Sequence, residues 1–145
     1  MNYEILFQLL GAFFGTLGFG ILFNIRGTKL FWAATGGMLA WSLFLILGLW
    51  IESEPIRYFL VALWSTGYSE ILARLLKTPA TTFCIITLIP LVPGGALYYT
   101  MTNALSGDFD QFVPRLINTI ELAMALSLGI VIVTATARMF FKKHA

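Results

Sequence analysis

Apolar residues come in five long blocks along the chain, each closed by a short polar stretch. The blocks cover about residues 3–23, 30–51, 56–76, 80–101 and 115–141. Each matches the roughly 20 mostly apolar residues that a helix needs to cross hydrocarbon. The separators are Asn24 to Lys29, Glu52 to Pro55, Lys77 to Pro79 and Ser106 to Asp110. The pattern predicts an all-α, polytopic membrane protein with about five transmembrane helices. With only short loops left over, residues 1–145 are expected to form a single membrane domain.

Detail within the blocks sharpens the picture. Gly11, Gly15 and Gly18 recur on one helical face of the first block, a spacing expected to serve helix packing in lipid. Trp32 and Trp50 stand near opposite ends of the second block, as in an aromatic belt, and Gly36, Gly37 and Ala40 offer a second close-packing stretch. Pro55 is placed to open the third helix. That third block is the most polar, with Ser65, Thr66, Tyr68, Ser69, Glu70 and Arg74. The fourth carries Pro90-Leu91-Val92-Pro93-Gly94-Gly95 near its middle. Each proline removes a donor and clashes with the preceding turn, and paired glycines weaken the helix further. Span four is therefore expected to break there.

Composition agrees with a lipid solvent. The chain is 59% hydrophobic and 11% charged, against about 25% charged in ordinary soluble domains. Charge placement then sets the topology. Arg26, Lys29, Arg74, Lys77, Arg138, Lys142 and Lys143 all fall on one side of a five-span zigzag. The positive-inside rule makes that side cytoplasmic. Glu4, Glu52, Glu54, Asp108 and Asp110 fall on the other, so the N-terminus is expected outside and the C-terminus inside. The start, Met1-Asn2-Tyr3-Glu4, lacks the basic region of a cleaved signal peptide, so the first span is expected in the mature protein.

Several function classes are disfavoured. No basic patch with interleaved aromatics suggests nucleic acid. Cys84 is the single cysteine, which excludes an internal disulfide or a paired-cysteine metal site, and His144 stands alone in a basic tail. Neither a Ser/His nor a Cys/His catalytic arrangement is available. No phosphate-binding glycine loop is present. The expectation is a non-enzymatic protein without cofactor or metal.

Candidate chemistry gathers at two places. A helix broken near the midplane is where transporters present half-helix ends to solutes, although a static kink is the plainer reading. Glu70 is an ionisable group inside a span, one turn from Arg74. It is either half of an anchoring ion pair or a proton carrier. Arg74 and Lys77 would attract a solute carboxylate at the inner mouth. Thr81, Tyr98 and Tyr99 would offer hydrogen bonds, and Pro90, Pro93, Gly94 and Gly95 would shape the backbone. Glu121 is a second carboxylate, read as interfacial.

Three segments carry a family resemblance. They are Gly18-Phe19-Gly20-Ile21-Leu22-Phe23-Asn24, Ala73-Arg74 with Lys77-Thr78-Pro79-Ala80-Thr81, and Ile89-Pro90-Leu91-Val92-Pro93-Gly94 with Tyr98-Tyr99-Thr100-Met101. In this order and spacing the chain resembles the small-subunit domain of the threonine/serine exporter family. The resemblance implies a secondary exporter of threonine, serine or related small carboxylic acids in the inner (plasma) membrane of a prokaryote. It also implies a separate, larger membrane subunit as partner, in a hetero-oligomer or homo-oligomer. Two other readings stay open: a non-transporting scaffold subunit, and a self-sufficient homo-oligomeric channel.

Overall fold

The structure, a computed structural model, describes residues 3–141. Lys142, Lys143 and His144 of the basic tail lie outside the described residues. Among the described residues the chain is all helical: α1 (Tyr3–Leu22), α2 (Thr28–Leu47), α3 (Glu54–Leu75), α4 (Ala80–Leu88), α5 (Gly94–Ser106) and α6 (Phe109–Phe141). Three of them, α1, α2 and α6, are long and apolar enough to cross a membrane, with mean hydropathies of 2.0, 1.8 and 2.1. The bent pair of α4 and α5 makes a fourth candidate span. Helix α3 is long enough at 22 residues, but its polar and charged side chains together make it less apolar than that set.

Helix ends follow from local chemistry. Helix α1 closes with Asn24 in the left-handed region at φ 59°, where Ile25 N–H reaches Gly20 C=O and Asn24 N–H reaches Ile21 C=O. The same paired bonds close α3 around Lys77, at φ 48°, and α5 around Gly107. This motif satisfies the carbonyls that a helix end leaves open. Helix α2 ends at Leu47, short of the expected 51, and Gly48 to Ile51 continue only as turns. Helix α6 starts six residues before the expected 115. Asp108 caps it by accepting from Gln111 N–H at 3.2 Å, and Pro114 is absorbed near its start. Its 33 residues span about 50 Å at 1.5 Å each, well beyond a hydrocarbon core of about 30 Å.

Helix α3 is the one the others cover. It buries Tyr58, Val61, Ala62, Ser65, Thr66, Ser69, Leu72 and Ala73, and it packs against α6, α4 and α2. One apolar cluster joins Ala40, Phe44, Val61, Ala62, Leu88, Leu91, Leu122 and Ala125. A second joins Ile25, Ala33, Leu72, Phe83 and Ile86. Single hydroxyl or amide contacts tie neighbouring helices: Ser69 with Thr87 at 2.9 Å, Thr100 with Thr119 at 3.0 Å, and Trp41 Nε1 donating to Gln8 at 3.3 Å. The outer faces carry large exposed apolar side chains such as Phe7, Phe14, Ile71 and Met124. Water penalises such a surface and lipid accommodates it.

The close approaches use other small residues than the glycine stripe of the first block. Helix α1 turns Ala12, Thr16 and Gly20 inward. A methyl group added at Gly11, Gly15 or Gly18 would have no neighbour within 4 Å, and Gly11 and Gly15 line an open groove with Trp41, Ile89 and Pro90. Both stripes have helical spacing and small residues, so the pattern alone did not rank them. On α6, by contrast, a methyl at Gly129 would stand 2.7 Å from Ala62 Cβ, 3.0 Å from Phe59 C=O and 3.2 Å from Leu63 N. Backbone atoms of α3 cannot swing aside as a side chain would. Gly129→Val is therefore expected to lower stability by about 1–3 kcal/mol or more. Gly15→Val should leave the isolated chain nearly unchanged. Thermal unfolding in detergent compares the two.

Candidate functional site

The break in the fourth block is built as its residues dictate. Helix α4 ends at Leu88, Ile89–Leu91 tightens into a 3₁₀ turn, and Val92 is extended. Pro93 caps α5, which starts at Gly94 and runs off at 59° to α4. Short bonds from Val92 N–H to Ile89 C=O and from Gly94 N–H to Val92 C=O hold the corner. Leu91 is fully buried and anchors it in the apolar cluster.

Two cavities flank that cluster. The first, about 410 Å³, lies between α3, α4 and α6. It is lined by Thr66, Ser69 and Glu70 of α3, by Pro79, Ala80, Thr81 and Cys84 at and in α4, and by Ile130, Thr134 and Arg138 of α6. The second, about 340 Å³, opens at the broken corner and is lined by Glu54, Tyr58, Trp41, Asn118, Pro90, Pro93, Gly94 and Gly95. Glu54 and Glu70 are sixteen positions apart on α3, or about 24 Å along its axis. The cavities thus sit toward opposite ends of α3. Val61, Ala62 and Leu91 fill the space between, while Leu88 borders the first cavity and Leu122 the second.

Charge in the first cavity is organised by one ion pair. Arg74 Nη2 lies 3.0 Å from Glu70 Oε2, and Arg74 Nε donates to Glu70 C=O at 3.2 Å. The Glu70 side chain is 20% exposed and that of Arg74 36%, so the carboxylate faces inward and the guanidinium outward. Beneath them, Ser69 Oγ donates to Ser65 C=O at 2.8 Å, Thr87 Oγ1 donates to Phe83 C=O, and Thr66 Oγ1 meets Cys84 Sγ at 3.8 Å. Ser65 Oγ is fully buried and has no hydrogen-bond partner among the described residues. Such an orphan costs about 1–3 kcal/mol, a penalty at the polar heart of α3. Among the described residues no three His, Cys, Asp or Glu side chains come together to hold a metal.

Six of the expected site residues line the two cavities. Glu70 and Thr81 line the first; Pro90, Pro93, Gly94 and Gly95 line the second. Arg74 reaches Glu70 from outside the lining. Lys77 is exposed at the left-handed end of α3. Tyr98 and Tyr99 are 65% and 55% exposed on α5, with the Arg115 guanidinium 5.3 Å from the Tyr99 ring. Glu121 is exposed on α6. Arg57 and Arg115, the two basic residues outside the one-sided set, both rest on aromatic faces, Arg57 at 4.8 Å from Phe44. Sequence reasoning missed Arg138 and Thr134 as cavity residues. Their signal was the four-residue spacing Ile130, Thr134, Arg138, which puts all three on one face of α6.

A family model described as Threonine/Serine exporter, ThrE, matches residues 8–136. The chain belongs to the threonine/serine exporter family. No curated protein and no solved structure matches it. The matched segment of this exporter-family chain holds the broken corner, the second cavity and every lining residue of the first except Arg138, two positions beyond its end. Family membership and the apolar helices together make it a membrane protein.

Lys77 gives a direct check on one placement. An L-residue in the left-handed region costs about 1–2 kcal/mol, which glycine avoids. Lys77→Gly is expected to raise the thermal midpoint in detergent, whereas Lys77→Ala leaves the backbone cost in place.

Proposed function

We propose that the chain is the small subunit of a secondary exporter for threonine, serine or related small carboxylic acids, working as one membrane domain beside a larger membrane subunit. The observation that carries this reading is the pair of cavities on either side of an apolar plug, with a broken helix at the corner of one and an ionisable carboxylate in the other. Alternating access needs a space reachable from each side of the bilayer with a closed barrier between.

In this reading α3 is the fifth span. Its 22 residues are about 33 Å long, and the surrounding helices shield its polar side chains from lipid. The basic residues then mark the cytoplasmic side, with the N-terminus outside, in the inner membrane of a prokaryote. The first cavity opens toward the cytoplasm and the second toward the outside. Pro90, Pro93, Gly94 and Gly95 form the hinge between the halves of span four. Glu70 exchanges a proton as the solute passes and releases Arg74 when it is protonated. Arg74 and Lys77 draw anionic groups to the inner mouth, and Thr81, Tyr98 and Tyr99 offer hydroxyls along the path. Gly11, Gly15 and Gly18, with space above each, provide a packing face for the larger subunit.

The test is efflux of labelled threonine, serine and succinate from cells expressing this chain with and without the larger membrane component. Efflux that needs both chains and collapses with a proton uncoupler is the expected result. Efflux from this chain alone would instead identify a self-sufficient oligomer. A Pro90→Ala/Pro93→Ala variant should still insert and assemble but lose most of its efflux, at least about tenfold. Full efflux from that variant would reduce the broken span to a passive kink.

A further inference from the structure

Arg138 stands where a topological signal and a chemical one coincide. It is the last lining residue of the first cavity, at the end of the stripe Ile130, Thr134, Arg138 on α6. Glu70 lies across the same cavity on α3. Among the described residues the only ion pair is Glu70 with Arg74, so no described carboxylate is paired with Arg138. Glu70 Oε2 is taken by Arg74, and Oε1 makes no hydrogen bond to the described residues. Arg138 and Glu70 thus bring one basic and one acidic residue to the same lining from two different helices. Hydroxyls of Thr66, Ser69, Thr81 and Thr134 stand among its lining.

We infer that Arg138 and Glu70 form a two-point site for a small zwitterion, with Arg138 taking the solute carboxylate and Glu70 its ammonium. The inference rests on the exporter reading and assigns the residues that hold the solute. A guanidinium offers a planar pair of N–H donors that fits a carboxylate two-for-two. The carboxylate of Glu70 attracts an ammonium and repels a second carboxylate, which disfavours a dicarboxylate in the same space. The volume, about 410 Å³, falls in the range of small-molecule sites and holds a small amino acid with some water. The hydroxyls suit a side chain that itself carries a hydroxyl. Arg74 orients the Glu70 carboxylate without entering the cavity lining.

Cys84, the only cysteine in the chain, belongs to the same lining and supplies the readout. A methanethiosulfonate reagent is applied to membranes containing this chain and the larger subunit, and the rate of Cys84 modification is followed with added solute. L-Threonine and L-serine are expected to slow labelling. L-Threoninol, which lacks the carboxylate, and L-lactate, which lacks the ammonium, should fail to do so at the same concentration. In Arg138→Gln the threonine concentration for half-protection should rise about tenfold or more. Arg138→Lys keeps the charge but not the fork and should fall between. Unchanged labelling of both variants without solute shows that they fold.

Equal protection of wild type and Arg138→Gln, or protection by L-threoninol as strong as by L-threonine, overturns the assignment of Arg138. Efflux that persists while no solute protects Cys84 moves the solute site elsewhere in the complex and overturns the inference alone. Protection without efflux keeps the site and sinks the exporter reading. Neither protection nor efflux removes both.

Discussion

Hydrocarbon offers no partner to a polar group, and α3 brings four charged side chains and three buried hydroxyls into this bundle. Everything else in the fold is arranged around covering that helix. The longest helix, α6, lies along it and approaches closely enough at Gly129 that no side chain fits between the backbones. Helices α4 and α2 close the remaining sides, while α1 and α5 pack on the outside against α2 and α6. The hydroxyl pair Ser69 and Thr87 sits at the inner seam, with Ser65 left unpaired beside it.

The cover is incomplete, and the gaps are where function is proposed. Toward one end of α3, α4 and α6 diverge enough to leave the cavity at Glu70. Toward the other, the corner made by Pro90 and Pro93 pulls the backbone away and leaves the cavity at Glu54. Both carboxylates belong to the same helix that hydrocarbon would reject. A polar helix sheathed by apolar ones costs stability through desolvation. The broken helix places the buried Leu91 directly at the corner.

The legible parts of the candidate site were those written in backbone chemistry. Two prolines and two glycines in six residues break a helix whatever surrounds them, and the break lies where that run predicts. The Glu70–Arg74 pair follows from a spacing of four on one helix. Arg138 was legible only as a topological charge, because nothing local ties it to residues nearly seventy positions earlier. Tyr98 and Tyr99 were legible as polar aromatics after the break, but which face of α5 turns outward depends on the 59° bend and on α6 behind it.

By itself, then, the sequence determined the helical blocks, their apolar character and the corner in the fourth. These depend on local terms: the hydrogen-bond demand of a backbone in lipid, the missing donor of proline, and the cost of charge in hydrocarbon. Only the tertiary structure decided which small residues face a neighbour. Ala12, Thr16 and Gly20 turn inward while Gly11, Gly15 and Gly18 stay open, and Gly129, which no motif singled out, meets the α3 backbone. It also decided that two cavities flank one plug, and that Lys77 spends its position on closing a helix. Those outcomes rest on which helices touch and at what rotation. A period of 3.6 residues fixes each face relative to its own helix but never relative to another.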